Sequence, residues 1–195
     1  MAFWSQKPDK EPKRNFRFKV KITGLGGEAE ANGDQGYLWF AKTATKPSFT
    51  INAAEHKFLN HTFYYPGAVT WNDVTITLVD PQNPDSVLEF AKLIQEGGYR
   101  PPGTQNNLAT MSKARATNNV GDVIVAQLDA DGNEIENWKL WNAFITDIKF
   151  GDNLEYGNDD LTEVSVTFKY DWAQLETPAN TGNPIFKAGG SSATS

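Results

Sequence analysis

The stretch Asn142-Ala-Phe-Ile-Thr-Asp-Ile-Lys-Phe-Gly-Asp-Asn-Leu-Glu-Tyr-Gly-Asn-Asp-Asp-Leu-Thr-Glu-Val-Ser-Val-Thr-Phe-Lys-Tyr-Asp-Trp172 decides how the chain folds. It reads as two alternating strands joined by an acidic loop rich in Asn and Gly, closing on an aromatic cluster. In the second strand Val164, Val166, Phe168 and Tyr170 point one way, and Ser165, Thr167 and Lys169 the other. Strand side chains repeat every two residues, so this pattern gives one dry face and one wet face. It builds surface and contains nothing that breaks bonds.

Working outward, residues 15–22 alternate in the same way, with Phe16, Phe18, Val20 and Ile22 set against Arg17, Lys19 and Lys21. Residues 24–36 hold five Gly and read as a loop. Residues 37–45 and 48–51 read as strand on either side of Pro47. Residues 58–65 are aromatic and extended, with Pro66-Gly67 as a turn dipeptide. Residues 71–79 are a strand with Val74, Ile76 and Leu78 on one face. The period then changes. Ser86 and Glu89 have capping-box spacing, Val87, Phe90, Ala91 and Ile94 share a helical face, and Gly97-Gly98 stops the helix. A lone amphipathic helix of this length must lie on a sheet to bury its stripe. Residues 100–120 are polar, rich in Asn, Thr and Pro, and read as a long loop that orders on assembly. Residues 122–128 and 135–140 form a hairpin about Asp131-Gly132-Asn133. From Glu176 the chain reads as a tail that is flexible alone, anchored through Ile185 and Phe186.

With 195 residues the chain has length for one good core. No segment reaches the roughly 18 apolar residues of a membrane span, and the first residues lack the apolar run of a signal peptide. With no cysteine, disulfide and thiolate chemistry are excluded. Charge is uneven. Residues 1–21 carry seven basic side chains against two acids, a net of +5, and the remainder carries −11. An acidic body argues against tight wrapping of nucleic acid, whose phosphates call for Lys and Arg. The basic start is either a solvated arm or an arm that docks on the acidic body of a neighbouring copy.

Chemistry-bearing patterns are weak. Asp129-Ala-Asp131-Gly-Asn-Glu134 lacks the ligand count and flanking helices of a calcium loop. His56 and His61 have no cysteine or nucleophile-elbow serine to serve. Gly24, Gly26 and Gly27 lack dinucleotide-binding spacing. Asp73 and Glu89 are the acids in the most apolar context, and both have simple polar roles. No catalytic, cofactor-binding or metal residue is expected, and the chain is not expected to be an enzyme.

The order of elements carries a resemblance. An Asn-Phe-x-Phe-x-Val strand from Asn15 to Val20 leads to Trp39-Phe-Ala-Lys-Thr-Ala-Thr-Lys-Pro47. The strand Thr70-Trp-Asn-Asp-Val-Thr-Ile-Thr-Leu78, a short helix, and a two-strand unit ending Thr167-Phe-Lys-Tyr-Asp-Trp172 follow. Over residues 15–172 this resembles the tail tube proteins of contractile-tailed bacteriophages. The inner-tube proteins of type VI secretion systems and extracellular contractile injection systems share their fold. The loops at 24–36 and 100–122 and the tail beyond Trp172 are longer than in compact members.

The resemblance implies a mainly β fold: an antiparallel β-barrel or sandwich with one short flanking α-helix, its strands joining those of neighbours into one large barrel. It implies a flexible basic leader (1–14), a tail-tube domain (15–172) and an extended C-terminal tail (173–195). It further implies hexameric rings stacked into a tube inside a sheath, with baseplate and tail terminator partners. The lumen would pass DNA without binding it, in a virion tail assembled in the host cytoplasm, with no membrane and no cofactor. Candidate wall residues are Asp147, Glu163, Ser165 and Thr167. Candidate inter-subunit residues are Lys7, Lys10, Lys13, Arg14, Arg100, Lys113, Arg115 and Phe186. The alternatives are an injection-system tube conducting protein effectors, and a monomeric carbohydrate-binding β-sandwich using Trp39, Tyr64, Tyr65 and Trp71.

Overall fold

The computed structural model describes residues 12–25, 40–83, 85–101, 103, 110–157 and 159–188. Its strands are β1 (Phe18–Ile22), β2 (Ala41–Ala44), β3 (Phe49–Phe58), β4 (His61–Trp71) and β5 (Val74–Val79). After helices α1 (Ser86–Glu96) and α2 (Lys113–Val120) come β6 (Val123–Leu128), β7 (Glu134–Trp141), β8 (Phe144–Lys149), β9 (Glu163–Lys169) and β10 (Trp172–Glu176). The first sheet runs β1-β6-β7-β10, the second β2-β5-β9-β8, and β3-β4 form a separate two-stranded ribbon. Every pairing is antiparallel.

The alternation read from the sequence is what places the core. Val164, Val166 and Phe168 of β9 and Val74, Ile76 and Leu78 of β5 are wholly buried. They pack with Val20, Ile22, Val123, Leu140 and Ala173 of the first sheet and with Phe90 and Leu93 of α1. The sheets therefore present their dry faces to one core, the arrangement that lets a sheet with one apolar face exist in water.

Four local expectations give way to the structure. The turn expected at Pro66-Gly67 is displaced: the hairpin reverses at Leu59 and Asn60, with Leu59 at φ 53°. Pro66 and Gly67 lie inside β4, opposite a register shift between Ile51 and Ala53. A Cβ on Gly67 would sit 2.9 Å from the Asn52 carbonyl oxygen, so glycine is what allows that close approach. The first helix is capped by Asp85, whose carboxylate accepts from the Leu88 amide at 2.9 Å, and Ser86 is the first helical residue. The single flanking helix becomes two, because residues 113–120 of the supposed loop are helical. The Ser112 hydroxyl caps α2, and Ala116, Val120, Leu93 and Ile145 enclose the seam it shares with α1 and β8. Finally, the two-strand unit ending at Trp172 is followed by a further strand: β9 ends at Lys169, β10 starts at Trp172 and pairs with β7, and Ile185 returns to bridge Leu175.

The end of β1 is stitched to the α2–β6 junction. The Asp122 amide donates to the Thr23 hydroxyl at 2.6 Å, and the Gly24 amide to the Val120 carbonyl at 2.9 Å. A Cβ on Gly24 would fall 1.7 Å from the Asn119 carbonyl oxygen, so only glycine fits there.

Chemical denaturation of single variants tests which faces carry stability. Phe168→Ala is expected to cost about 3–5 kcal/mol. Phe63→Ala, on the exposed ribbon, is expected to change the isolated subunit by no more than about 0.5 kcal/mol.

Candidate assembly surface

Ribbon β3-β4 leaves sheet β2-β5-β9-β8 between β2 and β5, closed at its base by the Asn72 amide donating to the Ser48 carbonyl at 2.8 Å. Aromatic contacts brace the base. Trp71 meets Phe49 (ring centroids 5.1 Å), Tyr170 (5.9 Å) and Phe186 (5.7 Å). Phe186, expected to touch a neighbour, is thus partly spent on its own subunit. Beyond the base every β3 side chain is exposed, and nearly every β4 side chain with it. Among them are Ile51, Phe58, Phe63, Tyr64, Tyr65 and Val69.

Register sorts the outer half of the ribbon into two unlike faces. The pairs Ala54↔Tyr65, His56↔Phe63 and Phe58↔His61 share one face, aromatic and carrying both histidines of the chain. Glu55↔Tyr64 and Lys57↔Thr62 share the other. On the aromatic face His61 and Phe63 meet edge to face, centroids 4.7 Å apart. A sugar platform is not what this arrangement offers: Trp71 is walled in at the base, Tyr64 and Tyr65 look in opposite directions, and Trp39 lies outside the described residues.

The four candidate wall residues fall on one surface, the face of the second sheet that turns away from the core. Thr75↔Thr167↔Asp147 and Thr77↔Ser165↔Lys149 form successive cross-strand rows, and Val79↔Glu163 the next. Thr43 joins the Thr77 row, and the Thr75 and Thr167 hydroxyls lie 3.2 Å apart. Lys42 ion-pairs with Glu163. This face is rich in hydroxyls, with Asp73, Asp147 and Glu163 against Lys42, Lys149 and Lys169, rather than acidic.

The basic N-terminal segment has partners close to home. Glu136 sits on the core-side face of the first sheet, in register with Gln127 and Phe18, and its side chain is only 11 % exposed. Lys13 ion-pairs with it. Lys46 reaches Glu136 at 2.7 Å and Gln127 at 2.5 Å, and the Trp138 indole donates to the same carboxylate at 2.6 Å. Burial alone pushes the Glu136 carboxyl up, but the bonds from Lys13, Lys46 and Trp138 outweigh it and hold it at about 2. This group is not legible in the sequence, because the run Glu134-Ile-Glu-Asn-Trp138 does not show which of its acids turns toward the core. Asp73 and Glu89, singled out instead, lie in exposed pairs with Lys169 (2.8 Å) and Lys92 (2.8 Å).

The other inter-subunit candidates are scattered. Lys113 donates to both carboxylate oxygens of Asp171 at 2.7 Å; together with Asn142 it holds that carboxyl below its ordinary range. Arg14, Arg100 and Arg115 are exposed, and Lys7 and Lys10 lie outside the described residues. Asp129, the head of the calcium-like run, is occupied in its turn: its carboxylate accepts from the Asp131 and Asn133 amides at 2.9 and 2.8 Å. No group of three or more metal-ligating side chains gathers among the described residues.

The architecture is two antiparallel sheets around one core, with a helical flank and a projecting ribbon. It is shared with a chain of the PVC sheath-tube complex of an extracellular contractile injection system in its extended state (TM-score 0.61, 13 % identity, 91 % of this chain and 99 % of that one). A chain of the anti-feeding prophage tube-terminating cap gives a TM-score of 0.60 at 14 % identity over 91 % and 99 %. One from the anti-feeding prophage baseplate gives 0.59 at 11 % over 86 % and 97 %. No family model and no curated protein matches the sequence.

Acid titration tests the Glu136 cluster. A carboxyl held at about 2, against an ordinary 4.5, contributes stability that is complete above pH 4.5 and lost as pH falls toward 2. Thermal melts of Glu136→Gln should therefore fall less steeply than wild type across that window.

Proposed function

We propose that the chain is the tube subunit of a contractile phage tail, forming hexameric rings that stack into a hollow conduit for DNA. The observation that carries the tube reading is the β3-β4 ribbon. A two-stranded ribbon is marginal in water by itself, and free strand edges invite pairing with other chains. This one displays aromatic and β-branched side chains along its length, the kind of surface that marks a protein interaction site. The fold supports the same reading, and so does the hydroxyl-rich outer face of the second sheet. A wall of Thr and Ser with paired charges gives a passing polyanion no cluster of Lys and Arg to hold it. In this reading Asp147, Glu163, Ser165 and Thr167 line the lumen. Sheath, baseplate and terminator proteins are the partners, and assembly takes place in the host cytoplasm. The work is structural, not catalytic.

A second reading, an injection-system tube that conducts proteins, is favoured by one feature. The three lysines of that face, Lys42, Lys149 and Lys169, balance Glu163, Asp147 and Asp73, so the wall lacks the acidic character that would repel DNA. Cargo separates the two readings: nuclease-protected DNA in particles supports the first, and protected protein without DNA the second.

Electron microscopy of the purified chain at rising concentration tests both. Hollow rings or tubes are the expected result. Phe58→Asp combined with Phe63→Asp should keep the melting temperature of the subunit while reducing assembly at least tenfold. A wild-type chain that stays monomeric and also fails to add to sheath and baseplate components would sink the tube reading.

A further inference from the structure

The ribbon and the long β8–β9 connection leave the second sheet from opposite ends. β5 pairs with β9 from Val74↔Phe168 to Val79↔Glu163, and β8 with β9 from Phe144↔Lys169 to Lys149↔Ser165. Trp71 ends the ribbon three residues before Val74, so the ribbon belongs to the end marked by Val74, Phe144 and Lys169. Residues 150–162 belong to the end marked by Val79, Glu163 and Lys149.

Each end displays what the other lacks. At a rise of about 3.3 Å per residue, the ribbon reaches on the order of 30 Å beyond the sheet. Its tip presents Phe58, Leu59 and Phe63 together with His56, Lys57 and His61, and past Glu55 it holds no acid. The far loop presents Leu154 (90 % exposed), Leu161 (71 %) and a fully exposed Tyr156. Interspersed are Asp152, Glu155, Asp159 and Asp160, with no basic residue from 150 to 162. Between this loop and Lys42, Val79 and Glu163 lies an open cavity of roughly 660 Å³. Apolar groups ringed by acids at one end are thus complementary to the apolar groups flanked by a lysine and two histidines at the other. Such complementarity selects a partner and its orientation.

We propose that the tip of the β3-β4 ribbon of one copy seats on the β8–β9 loop of the next, with Phe58, Leu59 and Phe63 against Leu154, Tyr156 and Leu161. Lys57, from the opposite face of the ribbon tip, then reaches the acids that border this apolar seat. This deepens the tube reading and rests on it. Because donor and acceptor lie at opposite ends of one sheet, the contact is heterologous, and each docking leaves a free ribbon at one end and a free loop at the other.

The absence of cysteine makes the test clean. Leu59→Cys and Tyr156→Cys chains are assembled together and treated with oxidant or a flexible bismaleimide. The expected product is a covalent dimer holding one chain of each kind. The double variant should give a ladder of multimers, and neither single variant alone a comparable product. As a second measurement, Lys57→Glu should lower assembly at least tenfold, and adding Asp159→Lys with Asp160→Lys to the same chain should restore it. Tubes that form without the mixed dimer, and whose assembly ignores the charge exchange, overturn this docking while leaving the tube reading intact. A chain that stays monomeric even with sheath and baseplate components, and yields no cross-link, overturns both.

Discussion

The structure depends on the dry contact between two four-stranded sheets, each of which has only one apolar face. Val74, Ile76, Leu78, Val164, Val166 and Phe168 supply one side, and Val20, Ile22, Val123, Leu140 and Ala173 the other. Neither sheet could keep such a face in water alone. One margin of the contact is held by charge rather than by hydrocarbon. Glu136 lies on the core-side face, where an unpaired carboxylate would be costly, and it is compensated by Lys13, Lys46 and the Trp138 indole. The two lysines come from the N-terminal segment and from the β2–β3 connection, and the indole from β7 itself. The same carboxylate therefore fixes where the chain enters the sandwich and where it leaves for the ribbon.

The assembly surface follows from this partition. Apart from Val79, the apolar side chains of β5 and β9 are consumed inward, which leaves their other face mainly to Thr75, Thr77, Ser165 and Thr167. Such a face is well hydrated and has little tendency to stick. The ribbon is the reverse: it sends aromatic side chains outward and has no second sheet behind it. One molecule thus carries a non-adhesive wall and an adhesive arm, joined through the short linkers between β2, the ribbon and β5.

What could be read beforehand was the part governed by period two. The alternation of residues 163–170 and 74–79 reports burial directly, since the two faces of a strand meet different solvents. The helix at 86–96 was visible for the same reason at its own period. Helix α2 was not, because Lys-Ala-Arg-Ala-Thr-Asn-Asn-Val has one large apolar residue and several poor helix formers. It is held by packing of Ala116 and Val120 against α1 and β8. The reversal of the ribbon is not legible because Pro66-Gly67 is a turn pair in most settings, whereas here it accommodates a bulge and the reversal falls on Leu59-Asn60. The four wall candidates share a face because strand register brings them together. The basic residues chosen for contact with neighbours scatter, because net charge says nothing of where a lysine finds its carboxylate.

The splice point of the ribbon has a mechanical consequence. It enters the sheet between β2 and β5, and β5 is an interior strand bonded to β2 on one side and β9 on the other. A pull on β4 that runs along the strand axis passes within two residues into β5. The hydrogen bonds of β5 to both neighbours are then loaded in shear and resist together, instead of parting one after another as they would if an edge strand were peeled away. A molecule held by this arm is gripped at the place where its sheet is hardest to unzip.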